Sequence, residues 1–467
     1  MKKICDLIEC SFDFCVSGIV DDSRNVKENY LFVATKGYNV DHFDYIDMAI
    51  ENGAVCVIAD REYKADVPVI VVDENINELY IKLCSKFYDV KPSDFNLIGI
   101  TGTDGKTTTS TIVYQLLNNI KKIACIGTNG VLINDEYFPT NNTTPCIPEL
   151  YNYLGIIKEN DCNNIVMEVS SEALLHDRLH TFKYSVVGFT NITEDHLNVH
   201  KTLENYMMCK FKLLDLIDDN GIVVVNGDDE NCKKIQKGKV YKIGINLDND
   251  FVISDIKEYN KEVKFLISYS GKDYNIVSPL LGKYNVYNVT MAFAICLLSG
   301  IRAEQLIESI AKLKTISGRR EYLDFGQDYD IILDYAHTYN GIKSILESVS
   351  NYKKIITVTG AAGGREKEKR PKIGSLVLDK SDIAIFTMDD PRYENVDDII
   401  DQMVGDTKKE YFRVIDREEA IAKAFELADS DSIVLVLGKG RDNYMAIEDR
   451  KEIYSDYDVI KNYFEKR

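Results

Sequence analysis

The strongest constraint on this chain's fold is Thr101-Gly102-Thr103-Asp104-Gly105-Lys106-Thr107-Thr108, set between an apolar run and a helical pattern. Leu97-Ile98-Gly99-Ile100, ahead of it, has the continuous hydrophobicity of a buried strand. Thr111, Ile112, Tyr114, Gln115, Leu116 and Leu117, behind it, carry helical spacing. A strand that turns through glycines into a helix start ending in Gly-Lys-Thr aims backbone N–H groups and the helix dipole at one point. That suits a nucleotide phosphate. Lys106 adds a point charge, and the Thr107 hydroxyl can ligate Mg²⁺. The run departs from the standard phosphate loop at Ile100, where that pattern has glycine. A ligand-free turn would leave a lysine followed by threonines at a helix N-terminus unexplained, because the dipole disfavours a cation there.

Length and composition narrow the setting. A chain of 467 residues has room for two to four domains. No apolar run approaches the ~20 residues of a membrane span. Acidic residues follow Met1-Lys2-Lys3-Ile4-Cys5-Asp6 too early for a secretory signal. Eleven cysteines with no Cys-x-x-Cys pair point to reduced thiols and a cytoplasmic address, not to a disulfide frame or zinc site. A formal charge of −19 argues against a nucleic-acid surface. It leaves room for anionic small ligands where basic residues cluster.

Three blocks are expected, at 1–91, 92–315 and 316–467. The first holds short strands at 31–34, 54–58 and 69–72 around a helical stretch near 47–51, and ends at the polar link Lys91-Pro92-Ser93. The second starts with the 97–100 strand and continues with strands at 164–168, 186–190 and 222–226 between helical segments. That alternation reads as a largely parallel sheet with helices on both faces, an α/β class. The third starts near Ile316-Ser317-Gly318-Arg319. Its strands at 329–333, 354–359, 383–387 and 433–437 read as a second doubly wound unit.

In such sheets ligands sit beyond the carboxyl ends of the strands. Polar motifs fall there four times: Glu168, Thr190-Asn191, Asn226-Gly227-Asp228-Asp229 and Asp334-Tyr335-Ala336-His337. This repetition points to an active site shared by the second and third blocks. Glu168 reads as a Mg²⁺ ligand beside a nucleotide or as a solvated loop acid. His196 and His200 are two of only six histidines, and spacing alone leaves His196 either structural or functional. Lys210 lies in Asn205-Tyr206-Met207-Met208-Cys209-Lys210-Phe211-Lys212-Leu213, where composition alone makes it a snorkelling surface lysine.

Taken in order, the motifs resemble those of the Mur ligase family. They are Gly102-Thr103-Asp104-Gly105-Lys106-Thr107-Thr108, Asn142-Thr143-Thr144-Pro145, Glu168-Val169-Ser170-Ser171, Asp195-His196-Leu197, Asn285-Val286-Tyr287-Asn288, Gly318-Arg319-Arg320-Glu321 and Asp334-Tyr335-Ala336-His337-Thr338. Asp22-Ser23-Arg24 and the run Leu31 to Tyr38 extend the likeness into the first block. The resemblance implies an N-terminal UDP-binding domain, a central ATPase domain and a C-terminal Rossmann-like domain. It implies ATP-driven addition of the third amino acid to UDP-N-acetylmuramoyl-L-alanyl-D-glutamate, by a monomeric enzyme with no nucleic-acid or membrane partner. ATP and Mg²⁺ are implied, as is CO₂ or bicarbonate for carbamylation of Lys210. Lys106, Glu168, His196 and Lys210 would be catalytic, and Thr107, Glu168, His196 and carbamylated Lys210 would hold metal. Asn288 would contact adenine, and Arg319 and Asp334 would bind the nucleotide. Ser23 would meet the uracil nucleotide, while Thr143, Thr144, Ser170 and Arg178 would hold the muramyl-peptide. Two other readings remain on the same scaffold: a cyanophycin- or folylpolyglutamate-type amide ligase, and a non-catalytic nucleotide-binding paralogue.

The incoming amino acid is assigned to Arg365, Asp390, Arg392, Gly438 and Asp442. Family members that add meso-diaminopimelate usually read Asp-Asn-Pro-Arg, with the arginine gripping the second carboxylate. Here the run is Asp389-Asp390-Pro391-Arg392, and Arg441-Asp442 stands where His-Glu is usual. Asp390 could favour a cationic side chain such as lysine. A buried arginine left unpaired beside lysine would be costly, which favours diaminopimelate.

Overall fold

The apolar runs of the first block are too short for helices and too uniformly hydrophobic for a half-exposed sheet. In the computed structural model, which describes residues 1–37, 40–140, 142–259 and 261–466, they are parallel strands. These are β1 (Gly18–Val20), β2 (Tyr30–Val33), β3 (Ala54–Ala59) and β4 (Val69–Val71), in that order across the sheet. Phe32, Val57 and Ala59 pack against Ile46 and Ala49 of the helix Ile46–Glu51. Tyr38, part of the family-like run, lies outside the described residues.

The central strands are β5 (Asn96–Thr101), β6 (Ile123–Gly127), β7 (Gly130–Ile133), β8 (Glu136–Phe138), β9 (Asn164–Glu168), β10 (Tyr184–Phe189) and β11 (Ile217–Asn226). They continue with β12 (Lys239–Gly244), β13 (Phe251–Glu258), β14 (Val263–Tyr269) and β15 (Lys272–Ser278). The chain divides into two compact units, one of Met1–Gly99, Asn118–Ser185 and Lys212–Gly221, the other of Ile100–Leu117, Val186–Phe211 and Ile222–Arg467. In the first, β6 pairs parallel with β9, and β6, β7 and β8 form antiparallel hairpins. In the second, the carboxyl ends of β5, β10 and β11 adjoin in that order. There β11, β12 and β13 run parallel, and β13, β14 and β15 make an antiparallel meander. Sequence reading located β5, β9, β10 and β11 but not the meander. Lys257, Lys264, Lys272 and Asp273 interrupt its apolar continuity, as expected for antiparallel strands with one solvated face.

The third block forms β16 (Glu321–Tyr322), β17 (Asp330–Asp334), β18 (Lys354–Thr359), β19 (Ile383–Phe386), β20 (Phe412–Arg413) and β21 (Ser432–Leu437). Their order is β16-β17-β21-β18-β19-β20, and all pairings except β16 with β17 are parallel. Alternate residues enter different cores. Leu333, Val358 and Val436 pack in one, and Ile332, Ile355 and Leu437 in the other. Both faces are thus covered, which is why these strands read as unbroken apolar runs.

Candidate active site

The loop after β5 is shaped by close approaches from elsewhere in the chain. Gly102 (φ +152°) and Gly105 (φ +85°) sit in conformations that favour glycine. A Cβ at Gly102 would lie 1.9 Å from Thr190 Oγ1, and one at Gly105 2.6 Å from Asn288 Oδ1. The end of β10 pins the loop: Thr190 Oγ1 and Asn191 Nδ2 donate to the Asp104 carbonyl at 2.6 and 3.0 Å. The Asn191 side chain in return accepts the Asp104 N–H at 2.9 Å. Lys106 opens helix α1 (Lys106–Asn118), with Nζ on the Gly102 and Thr103 carbonyls at 3.0 and 2.9 Å.

Two residues of the third block reach this loop. Arg319 Nη2 donates to Thr107 Oγ1 at 3.1 Å while its guanidinium lies over the Tyr335 ring. Thr338 Oγ1 donates toward both Asp104 carboxylate oxygens, at 3.1 and 3.2 Å. Burial and the nearby Asp195 push the Asp104 carboxyl above its ordinary value. Asp334 works within its own loop, its two oxygens accepting the N–H groups of Arg320 and Ala336, each at 2.6 Å. Asp104, Gly105, Asn285, Asn288, Arg319 and Asp334 all line one cavity of about 1790 Å³, large enough for a nucleotide.

Lys210 does not snorkel. It lies near the end of helix α2 (Leu203–Phe211), is 1% exposed, and donates to the Gly102 carbonyl at 2.8 Å. Burial, and the charge of Lys106, push its ammonium well below the usual range. His196 has a left-handed backbone (φ +56°), and burial lowers its imidazole to about 4. Its Nδ1 is buried without a hydrogen-bond partner, leaving a neutral ring with an uncommitted nitrogen. Asp195, 3.4 Å from His196 Nε2, is buried, yet His196, His337 and Lys369 together hold its carboxyl below the ordinary range. Among the described residues no group of three or more His, Cys, Asp or Glu gathers as a metal cage. A Mg²⁺ that keeps waters and takes substrate phosphates does not require one. Within the second unit the neutral His196 ring and the Thr107 hydroxyl are donors of the kind such an ion takes.

Glu168 closes β9 in the first unit and is buried, its carboxylate accepting the Thr128 N–H (2.8 Å) and hydroxyl (3.2 Å). Thr143 Oγ1 meets Thr128 Oγ1 at 3.0 Å. Thr144 Oγ1 donates to the Glu168 carbonyl and accepts the Ser170 N–H, and Arg178 Nη1 reaches the Thr144 carbonyl at 3.4 Å. Glu168, Thr143, Thr144, Ser170 and Arg178, assigned from the family likeness, therefore form one cluster. Ser23, also in this unit, is buried and donates to Met48 Sδ.

The arginines assigned to the amino acid are less buried than their sequence context suggests. Arg365 and Arg392 are half-buried, so neither carries the desolvation cost assumed for it. Asp390 is not a spare acid. Its Oδ1 accepts Lys439 Nζ at 2.8 Å and the Ala446 N–H at 2.9 Å. Asp442 lies 3.5 Å from the same ammonium, and burial pushes its carboxyl up to about 6. Gly438 (φ +116°) allows a close pass, since its Cβ would stand 2.2 Å from Asp389 Oδ2. Arg441 pairs with Glu321 and covers the Tyr457 ring. Sequence reasoning missed Thr128, Lys369 and the fully buried Arg370 and Arg417. Lone charged residues on helices and loops give no local signal of burial.

Three family models match in succession: "Mur ligase family, catalytic domain" over 16–88, "Mur ligase middle domain" over 100–296 and "Mur ligase, glutamate ligase domain" over 318–440. The chain is 36% identical to UDP-N-acetylmuramoyl-L-alanyl-D-glutamate--2,6-diaminopimelate ligase of Bacillus cereus, covering 98% of both chains. It is 35% identical to the protein of the same name from Fusobacterium nucleatum, covering 99% of this chain and 96% of that one. A solved structure with that name superposes with TM-score 0.64 at 25% identity, covering 100% and 99% of the two chains. MurF ligase from Thermotoga maritima, solved with ADP, has TM-score 0.69 at 21% identity over 96% and 97%, a likeness of fold.

Proposed function

Because the chain belongs to the Mur ligase family, we propose that it joins meso-diaminopimelate, in preference to L-lysine, to UDP-N-acetylmuramoyl-L-alanyl-D-glutamate at the expense of ATP. The full-length identity to ligases of that name carries the choice of substrate. Buried Lys210, set against a phosphate loop that Arg319 and Thr338 also reach, supports the ligase chemistry. The cytoplasm and a monomer are proposed for its setting and state.

The glutamyl side-chain carboxylate attacks the γ-phosphorus of ATP, forming an acyl phosphate and releasing ADP. The amine of the incoming amino acid then attacks the acyl carbon and loses a proton, the amide N–C bond forms, and the acyl carbon–oxygen bond breaks with its electron pair going to the departing inorganic phosphate. Two anions approach in the first step, so neutralising charge dominates the barrier. The loop N–H groups and Lys106 face the phosphates, and Arg319 adds a fixed cation beside Thr107. Thr107, His196 and carbamylated Lys210 would hold Mg²⁺, which when bound would offset charge on the phosphoryl oxygens, and a metal role for Glu168 rests on the family likeness alone. Lys210 is suited to carbamylation because burial favours its neutral amine, the form that attacks CO₂. The N–C bond forms, a proton leaves, and a buried cation becomes an anionic oxygen donor. Arg365 and Arg392 would grip the second carboxylate of the amino acid, and Asp442 its distal ammonium.

The test is ADP release with UDP-N-acetylmuramoyl-L-alanyl-D-glutamate and each candidate amino acid. Turnover that depends on diaminopimelate, with kcat/KM well above that for lysine, is expected. A preference for lysine, or release indifferent to the amino acid, would overturn the assignment.

A further inference from the structure

Arg417 is the first residue of the helix α3 (Arg417–Leu427), and Asp456 is the first of the helix α4 (Asp456–Glu465). Their side chains pair with neither exposed to solvent. Nε donates to Asp456 Oδ1 and Nη2 to Oδ2, both at 2.8 Å, and Tyr454 OH adds a third bond to Oδ1. The guanidinium also reaches two backbone carbonyls: Nη2 donates to Leu437 at 2.9 Å and Nη1 to Met388 at 3.2 Å. Those carbonyls have a common significance. Met388 immediately precedes Asp389-Asp390-Pro391-Arg392, and Leu437 immediately precedes Gly438-Lys439-Gly440-Arg441-Asp442.

The two segments follow β19 and β21, which are not neighbours, since β18 lies between them in the sheet. Each strand pairs with β18 and not with the other, so within the sheet their spacing is set only through β18, and past the strand ends Arg392 bridges to Ile447. Arg417 spans them from one side, and the Lys439–Asp390 bond links them again beyond the strand ends. A buried ion pair by itself seldom repays its desolvation, so pairing alone is a weak account of why this one is here. A planar fork with five donors can bridge a carboxylate and two carbonyls at once, whereas an ammonium cannot hold that geometry.

We propose that Arg417 is a positioning residue for amino-acid selection: anchored by Asp456, it sets the separation of the Met388–Arg392 and Leu437–Asp442 segments and so the fit of the third amino acid. This rests on the proposed function in one respect, that these segments receive the amino acid. Selection between a substrate with a second carboxylate and one without it depends on the distance between Arg392 on one segment and Asp442 on the other. A loosened spacing weakens selection before it affects the nucleotide site.

The full-length double variant Arg417→Met with Asp456→Leu removes both members of the pair and leaves Lys439 as the cation beside buried Asp389. Its amides at 389, 390, 392 and 438–442 are expected to exchange with solvent at least tenfold faster. The ratio of kcat/KM for diaminopimelate over lysine should fall at least tenfold, with KM for ATP within twofold. A role confined to stability would lower the melting temperature and leave that ratio unmoved. Arg417→Lys, which keeps the charge opposite Asp456 but not the fork, should move both readouts in the same direction, and it decides the matter should the double variant not fold. Wild-type exchange in both segments together with an unchanged ratio would overturn the proposal. The exchange measurement needs no substrate. A wild-type enzyme that ignores diaminopimelate would reject the proposed function, and the positioning claim would still stand or fall on exchange.

Discussion

Thr338→Val removes one hydroxyl and keeps the side-chain shape, and the structure assigns that hydroxyl two jobs. As N-cap of the helix Tyr339–Ser348 it accepts the Gly341 N–H at 3.0 Å. As donor it faces both oxygens of half-buried Asp104. Losing a threonine cap costs about 1 kcal/mol. Losing a hydrogen bond to a charged partner costs about 1.5–3 kcal/mol. The two contributions sum to roughly 2.5–4 kcal/mol near neutral pH. The dependence on pH separates them. The folded Asp104 carboxyl is raised above its unfolded value by burial and by Asp195, so the folded state binds its proton more tightly. Stability from this group is therefore present at low pH and is lost as pH rises through the folded value. Valine removes a bond that favours the ionised form, which raises the folded value further and steepens that loss. The destabilisation should shrink toward the cap's ~1 kcal/mol as pH is lowered. Urea unfolding of variant and wild type over a pH series that starts in the ordinary carboxylate range and ends at neutrality measures this, with KM for ATP expected to rise because Asp104 lies in the loop proposed to hold the phosphates. A destabilisation under about 0.5 kcal/mol, or one independent of pH, would refute the reasoning.

Other consequences follow from single contacts. Lys210→Ala should retain ATP binding but lose ligation by about 1000-fold or more. Short carboxylic acids added to the assay should restore part of that activity, and full turnover without them would reject a carbamate role. Since burial lifts the Asp442 carboxyl to about 6, KM for the amino acid should fall as pH rises through that value, and Asp442→Asn should flatten the profile. The same raised carboxyl contributes folding stability at low pH that is lost above about 6, the opposite sign, which a parallel unfolding series would reveal. Gly438→Ala places a methyl 2.2 Å from Asp389 Oδ2 at φ +116°. Strain and overlap together should cost about 2–5 kcal/mol in urea unfolding, with a higher amino-acid KM.

What the sequence determined was local. The strand, loop and helix around Gly102 to Lys106 were legible because strand, glycines, lysine and helix start are contiguous, and their dihedral and dipole requirements are met within a dozen or so residues. The doubly wound third block was legible because a parallel strand covered on both faces must be apolar throughout, as Ile433 to Leu437 are. Tertiary structure alone decided burial and pairing. Lys210 has the sequence surroundings of a surface lysine and lies beneath the loop at Gly102. Arg365 and Arg392, expected to be buried, are half-exposed, while Arg370 and Arg417, which nothing in the sequence marks, are enclosed. Asp390 looked like a free acid until Lys439, 49 residues on, came within 2.8 Å of it. The physical reason is the same in each case. A side chain's charge and chemistry are written at its own position, but its desolvation and its partners depend on residues brought to it by the rest of the chain.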